Sequence, residues 1–183
     1  MKPRLIGLAG PAQAGKSTAG LSLVRLGYVR LRFADPIKAA LRAILEASGM
    51  PPTEVTQRLD GDLKEEPVDV LLGVSARYAM QTLGTEWGRQ IIGFDLWTRI
   101  TMNQAGRIIA EGGNVVIDDV RFWEEAEAIR GNGGMLIEIT RPGFSYSASH
   151  ASEDGLSGFD LSLENDGDEE ALGRKLQQVI AGS

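Results

Sequence analysis

A chain of 183 residues, 43% hydrophobic and 24% charged, is long enough for one α/β domain with a sizeable core. Its formal net charge of −6, with the basic residues scattered singly, argues against a polyanion gripped along its backbone. A small anionic substrate held by a few arginines fits better. The absence of cysteine excludes disulfides and thiolate metal sites, and no apolar run approaches the ~18 residues of a membrane span.

Residues 4–9 form a short apolar run, expected as a buried strand, and no leader peptide is expected ahead of it. Gly10, four residues, Gly15, Lys16 and Ser17 then fill the pattern G-x-x-x-x-G-K-[ST]. An apolar helical pattern follows through Ala19, Leu21, Leu23 and Val24. Strand, glycine loop and helix thus stand in the order of a phosphate-binding loop. Gly10 and Gly15 allow backbone conformations that a Cβ disfavours, so successive N–H groups can converge on phosphate oxygens. The helix adds its unpaired N–H groups and positive dipole end. Lys16 is expected to reach the β- and γ-phosphates of ATP, and the Ser17 hydroxyl to ligate Mg²⁺. Gln13, Ala14 and Thr18 complete this nucleotide-binding stretch. The plain alternative is a glycine-rich turn with an incidental lysine; the full pattern in this context argues for a nucleoside triphosphate site.

Residues 28–33 alternate apolar and basic side chains as a second strand. A helix is expected from there to about residue 48, with Asp35 as N-cap, Pro36 as first helical residue and Gly49 as its stop. Residues 50–73 are the least regular, with a short helix near 53–59 and a charged loop over 60–67, read as an insertion near the substrate. Ser75 caps the next helix, to about Ile91, and Asp95 the one after it, to about Glu111, ended by Gly112 and Gly113. An apolar strand over 114–118 ends in Asp118-Asp119. A helix over 122–131, a strand over 135–140, a Gly- and Ser-rich flap over 142–158, a short strand over 161–163 and a closing helix over 168–180 complete the chain. Strands alternating with helices argue for a parallel sheet covered on both faces. The expected fold is an α/β three-layer sandwich of the P-loop NTPase type with a mostly parallel central sheet. It is read as one domain over 1–183, with a helical acceptor-binding region over 34–112 and a mobile lid over 142–158.

A phosphate loop needs a carboxylate for the metal's water shell, at the tip of a neighbouring strand, and Asp118-Asp119 has that form. One of the two faces the metal while the other caps the next turn; the sequence assigns neither. Arg121 follows at the same sheet edge, where open α/β folds bind ligands. Its guanidinium is expected either on a phosphate or in a salt bridge to Asp119 or Glu125. Asp35 is either only a helix cap or a group that takes part in the chemistry. Lys38, a cation in a helix's first turn, opposes the dipole unless an anion sits nearby, and an acceptor phosphate would supply one. On the helix over 75–91, Met80, Leu83, Trp87 and Ile91 are expected as core. Arg77, Gln81, Thr85 and Arg89 recur every four residues as a polar strip, either a solvated edge or a clamp for a phosphate and a base edge. His150, the only histidine, lies in the flap, and composition gives it no role.

Beyond the loop, five stretches resemble signatures of bacteriophage deoxynucleoside monophosphate kinases. They are Phe33-Ala34-Asp35-Pro36-Ile37-Lys38, Gln81-Thr82-Leu83-Gly84-Thr85-Glu86-Trp87-Gly88-Arg89, Asp119-Val120-Arg121-Phe122, His150-Ala151-Ser152-Glu153 and Asn165-Asp166-Gly167. They occur in the family's order and span nearly the whole chain. The resemblance implies Mg²⁺-dependent transfer of the ATP γ-phosphoryl group to a deoxynucleoside 5′-monophosphate, giving the diphosphate for phage DNA synthesis, and a homodimer. It carries over Lys16 and Ser17 as triphosphate and metal ligands and Asp119 as the acid on the metal strand. Asp35, Lys38, Gln81, Arg89 and Arg121 fall on acceptor-side motifs, and Lys16, Asp35 and Arg121 form the expected catalytic set. Arg77, Thr85, Glu86 and His150 join the acceptor side, and Arg141 and Asn165 the nucleotide side. Two departures keep base preference from being transferred. The family often has Thr-Pro-Arg where this chain has Ser75-Ala76-Arg77, and a proline where it has Trp123.

A monophosphate acceptor is already an anionic nucleophile, so alignment and charge neutralisation suffice, with the flap excluding water. One alternative keeps the kinase and changes the acceptor to a hydroxymethylated pyrimidine within phage DNA, for which Asp35 would act as base. Another is a nucleotide-dependent switch or ATPase, which needs a water-positioning residue and a partner surface. The expected setting is the cytoplasm, that of the host cell for a phage-encoded chain, with no stable nucleic-acid partner and no membrane.

Overall fold

The computed structural model describes residues 2–146 and 156–182. The chain divides into two compact units, Met1–Phe33 with Thr101–Ser183, and Ala34–Ile100. The strands are β1 (Leu5–Ala9), β2 (Tyr28–Leu31), β3 (Asn114–Ile117), β4 (Met135–Thr140) and β5 (Leu161–Glu164). The α-helices are α1 (Lys16–Arg25), α2 (Asp35–Ala47), α3 (Pro52–Asp60), α4 (Ala76–Thr82), α5 (Leu96–Ala110), α6 (Trp123–Gly131) and α7 (Glu169–Gly182).

In the first unit the five strands pair in the order β2-β3-β1-β4-β5, every pair parallel. Successive strand residues face opposite sides of a sheet, and both sides here are apolar. Ile6, Leu8, Val116, Ile137 and Ile139 form one core with Leu23 of α1 and Leu172, Leu176 and Ile180 of α7. Leu5, Val115, Ile117 and Leu136 form the other with Ala105 of α5 and Ala126 and Ile129 of α6. This is the expected three-layer α/β sandwich, whose central strands are mainly apolar because both faces are covered, with Glu138 of β4 only half-buried. β2 stops at Leu31, short of the expected residue 33. The Phe33 N–H is instead taken by the Asp119 carboxylate at 2.8 Å, which ends the ladder.

In the second unit, α2, α3 and α4 enclose Leu41, Leu45, Val55, Leu59, Val68 and Ala76. Two 3₁₀ turns, Asp62–Glu65 and Asp69–Leu71, occupy the irregular stretch. Ser75 caps α4 as expected, its hydroxyl accepting the Tyr78 N–H at 3.2 Å. Asp35 does not cap α2. The capping position is Ala34, already helical at φ −76° and ψ −17°, so Asp35 is the first helical residue and its carboxylate lies within the first turn.

The larger departure follows α4. Leu83–Ile92 is a π-helix, whose hydrogen bonds close five residues back, so a turn takes more than four residues. The 3.6-residue period that made Trp87 and Ile91 core positions therefore fails, and they are 45% and 72% exposed. Gly84 and Gly88 are the buried positions instead. The Trp97 indole stands against Gly88 and donates its Nε1–H to the Gly84 carbonyl at 2.9 Å. Gly88 leaves room for that ring, since a Cβ there would collide with the indole nitrogen.

Candidate active site

β1 delivers the chain to Gly10, and α1 carries it away from Gly15. Gly10 has φ +137° and Gly15 φ +105°, with Gln13 between them at φ +64°. Space as well as φ demands glycine at both positions. A Cβ on Gly10 would collide with the Ile139 carbonyl oxygen, and one on Gly15 with the Asn165 side-chain amide. Gly15 offers α1 no side-chain cap, and the first turn holds no acidic residue. A helix that begins this way leaves its first N–H groups to an external anion. Lys16 Nζ folds back over the loop and donates to the carbonyls of Gly10 at 2.5 Å and Pro11 at 2.7 Å. Ser17 is exposed and Thr18 half-buried, its carbonyl accepting the Ser22 hydroxyl at 3.1 Å.

Asn165 follows β5 and is 9% exposed. Its Nδ2 donates to the Ala14 carbonyl at 2.9 Å, and its backbone N–H to the Thr140 carbonyl at 2.7 Å. Lys175 of α7 secures the same turn, donating to the Glu164 carbonyl at 2.7 Å and to Asp166 Oδ1 at 2.6 Å. The hydrogen bond from Lys175 holds the Asp166 carboxyl below the usual carboxylate range.

The two acids after β3 have different surroundings. Asp118 is 2% exposed; its Oδ2 accepts Arg30 Nε at 2.8 Å and Nη2 at 2.5 Å. Its Oδ1 is buried with no hydrogen-bond partner among the described residues. Gly20 of α1 makes room for this carboxylate, since a Cβ there would stand 2.8 Å from Oδ2. Asp119 is half-buried, with Oδ1 on the Phe33 N–H. Among the described residues no group of three or more His, Cys, Asp or Glu side chains could enclose a metal. Mg²⁺ does not need such a cage: it keeps several waters and combines one or two carboxylates with substrate phosphates. Ser17 and Asp119 fit that donor set.

Arg121 is exposed, and among the described residues its guanidinium pairs with neither Asp119 nor Glu125. The Glu125 carboxylate accepts the backbone N–H groups of Arg121 at 2.8 Å and Phe122 at 3.1 Å, so it caps α6. In the second unit, Lys38 pairs with Asp60 at the end of α3. The chain itself thus supplies the anion that the dipole of α2 calls for. Arg77 pairs with Glu65 at 3.3 Å, both exposed. Gln81, Thr85 and Glu86 are exposed and Arg89 is half-buried, spread across the junction of α4 and the π-helix. Arg141, after β4, lies over the Phe144 ring at 5.3 Å. His150 falls outside the described residues, as does the 147–155 part of the flap expected over 142–158. Sequence reasoning missed Arg30. No local signal could have found it, because the apolar and basic alternation over 28–33 fits a strand with a solvated face equally well and the partner acid lies 88 residues away.

The sequence model of the deoxynucleotide monophosphate kinase family matches residues 66–176. A protein of Acanthamoeba polyphaga mimivirus, provisionally named a deoxynucleotide monophosphate kinase, is 33% identical over 181 residues, covering 88% of this chain and 88% of the relative. The deoxynucleotide monophosphate kinase of Escherichia phage RB69 is 29% identical over 109 residues, which are 58% of this chain and 45% of that protein. Among solved structures, TT1252 from Thermus thermophilus superposes with a TM-score of 0.50 at 19% identity, over 100% of this chain and 98% of that one, a likeness of fold. The family match takes in the π-helix with its Gln81–Arg89 block, both acids after β3 and the Asn165 turn, and the mimivirus relative extends the likeness over most of the chain. This chain belongs to the deoxynucleotide monophosphate kinase family.

Proposed function

We propose that this chain transfers the γ-phosphoryl group of ATP to a deoxynucleoside 5′-monophosphate, forming the diphosphate. The observation that carries the reading is the loop from Gly10 to Ser17, with Lys16 tethered over it and a helix start empty of acid behind it, in a chain of this family. Gly10, Gln13, Ala14, Gly15, Lys16, Ser17 and Thr18 hold the triphosphate, and Arg141 serves the nucleotide side. Mg²⁺, held through Ser17, Asp119 and the phosphates, neutralises phosphate charge when bound. Lys16 leaves two carbonyl acceptors for phosphate oxygens, exchanging neutral partners for charged ones.

On the acceptor side we assign Lys38, Arg77, Gln81, Thr85, Glu86, Arg89 and His150. Asp35 is assigned there as a ligand, since a monophosphate oxygen needs no base. Arg121, exposed and without an ion pair among the described residues, stabilises charge on the transferring group. The substrates place the activity in the cytoplasm, with neither nucleic acid nor membrane as partner. The chain acts as a homodimer. Trp87, Ile91, Ile92 and Phe94 support this, because they expose apolar surface within one short stretch. Light scattering that gives a monomer mass at every concentration would refute the dimer.

The function is tested with γ-labelled ATP and Mg²⁺, offered with free deoxynucleoside monophosphates and, separately, with hydroxymethylated DNA. Label should enter the free diphosphates, and Lys16→Ala should abolish the transfer. Label in the DNA, or ATP loss without any acceptor, would overturn the proposal.

A further inference from the structure

We infer that Asn165 is a positioning residue for the phosphate loop, acting through the Ala14 carbonyl and not as a contact to the base or sugar of the nucleotide. This rests on the reading of the loop as the triphosphate site. For main-chain N–H groups to converge on phosphate, the intervening carbonyls must turn away from it. The Ala14–Gly15 peptide is the one at risk of turning the wrong way, because Gly15 at φ +105° has no Cβ to restrain it. Asn165 Nδ2 holds the Ala14 carbonyl outward at 2.9 Å. Ala14 is fully buried, so rotating that carbonyl toward the phosphates would strand a buried amide on Asn165 without a partner.

The clamp is itself braced. The Asn165 backbone N–H is fixed on Thr140 at the end of β4, and Lys175 pins the residues on either side through the Glu164 carbonyl and the Asp166 carboxylate. Gly15 is the matching half of the device, since any Cβ there would strike the Asn165 amide. The side-chain nitrogen is thus committed to the loop, in a residue 9% exposed.

The test compares wild type with Asn165→Asp and Asn165→Ala, measuring the affinities for ATP, for inorganic tripolyphosphate and for a deoxynucleoside monophosphate, with a thermal melt for each. Asn165→Asp keeps the shape and loses the donor but adds a negative charge that itself repels phosphate. Asn165→Leu, uncharged, donor-free and of similar size, is therefore measured beside it and decides the matter if the alanine variant fails to fold. ATP and tripolyphosphate should weaken together by at least about tenfold, while monophosphate affinity changes less than about twofold. Weakened ATP binding with unchanged tripolyphosphate binding would mean direct contact with the nucleoside and would overturn the inference. A lowered melting temperature with all three affinities intact would reduce Asn165 to a structural role and overturn it equally. Failure of wild type to bind ATP or tripolyphosphate at all would instead strike the reading of the loop.

Discussion

Arg30→Met leaves Asp118 as a buried carboxylate with neither oxygen paired. In the native chain the Asp118 side chain is 1% exposed, Arg30 makes two contacts to Oδ2, and Oδ1 already lacks a partner among the described residues. Removing one member of a buried ion pair costs about 3–5 kcal/mol, chiefly the desolvation of the charge left behind. At this chain length that corresponds to a fall in Tm of roughly 6–20 °C. The reverse removal should be milder. Asp118→Asn strands an arginine whose side chain is 24% exposed and can turn to water, so its cost is about 1–2 kcal/mol. Because the penalty belongs to the orphaned charge, the double variant Arg30→Met/Asp118→Asn should be more stable than Arg30→Met alone. Urea unfolding of the four proteins, compared through midpoints at constant slope, measures this. A loss below about 1 kcal/mol for Arg30→Met, or a double variant less stable than it, would refute the reasoning.

Three further outcomes follow from the same geometry. A Cβ at Gly84 meets only the end of the Ile37 side chain at 3.1 Å, whereas one at Gly88 stands 2.5 and 2.7 Å from ring carbons of Trp97. Gly84→Ala should therefore be neutral or stabilising by up to about 1 kcal/mol through helix propensity, and Gly88→Ala destabilising by about 1–3 kcal/mol; equal melting shifts would contradict this. The Tyr28 hydroxyl donates to the Pro3 carbonyl at 2.5 Å, and burial pushes the phenol from 10.0 to about 12. A raised pKa means that the folded chain holds the proton longer. This stability is complete below pH 10 and lost as pH rises through about 12, and Tyr28→Phe should flatten that limb of the denaturation profile. Lys38→Met should change stability by under about 1 kcal/mol, since its Asp60 partner is partly exposed, yet raise the acceptor KM; an unchanged KM would remove Lys38 from the acceptor side.

The sandwich was legible because its evidence is local and redundant. β1 and the Val115–Ile117 stretch of β3 are short apolar runs ended by Gly10 and Asp118, and β4 is apolar apart from Glu138 and Thr140, as a parallel sheet buried on both sides requires. The phosphate loop was legible for a stronger reason: Gly10 and Gly15 answer to backbone constraints that no other residue meets. What the sequence hid depends on partners far along the chain. Asp118 and Asp119 are neighbours of identical type, and only Arg30, 88 residues away, and the Phe33 N–H, 86 residues away, tell them apart. Lys38 looked like a cation awaiting a ligand because Asp60 lies 22 residues on, in another helix. The π-helix misled for a different reason. Its apolar residues also fit a 3.6-residue period, and nothing in composition reveals that Trp97 claims the space beside Gly88 and the carbonyl of Gly84.

The central claim is that an ATP held by the loop after β1 passes its terminal phosphoryl group to a free deoxynucleoside monophosphate. Phosphorus NMR of the chain with ATP, Mg²⁺ and each of the common deoxynucleoside monophosphates in turn observes that transfer directly. The account predicts ADP and a deoxynucleoside diphosphate appearing in equal amounts for at least one acceptor, and neither with Lys16→Ala. Inorganic phosphate accumulating in place of the diphosphate, or turnover surviving in Lys16→Ala, would contradict it.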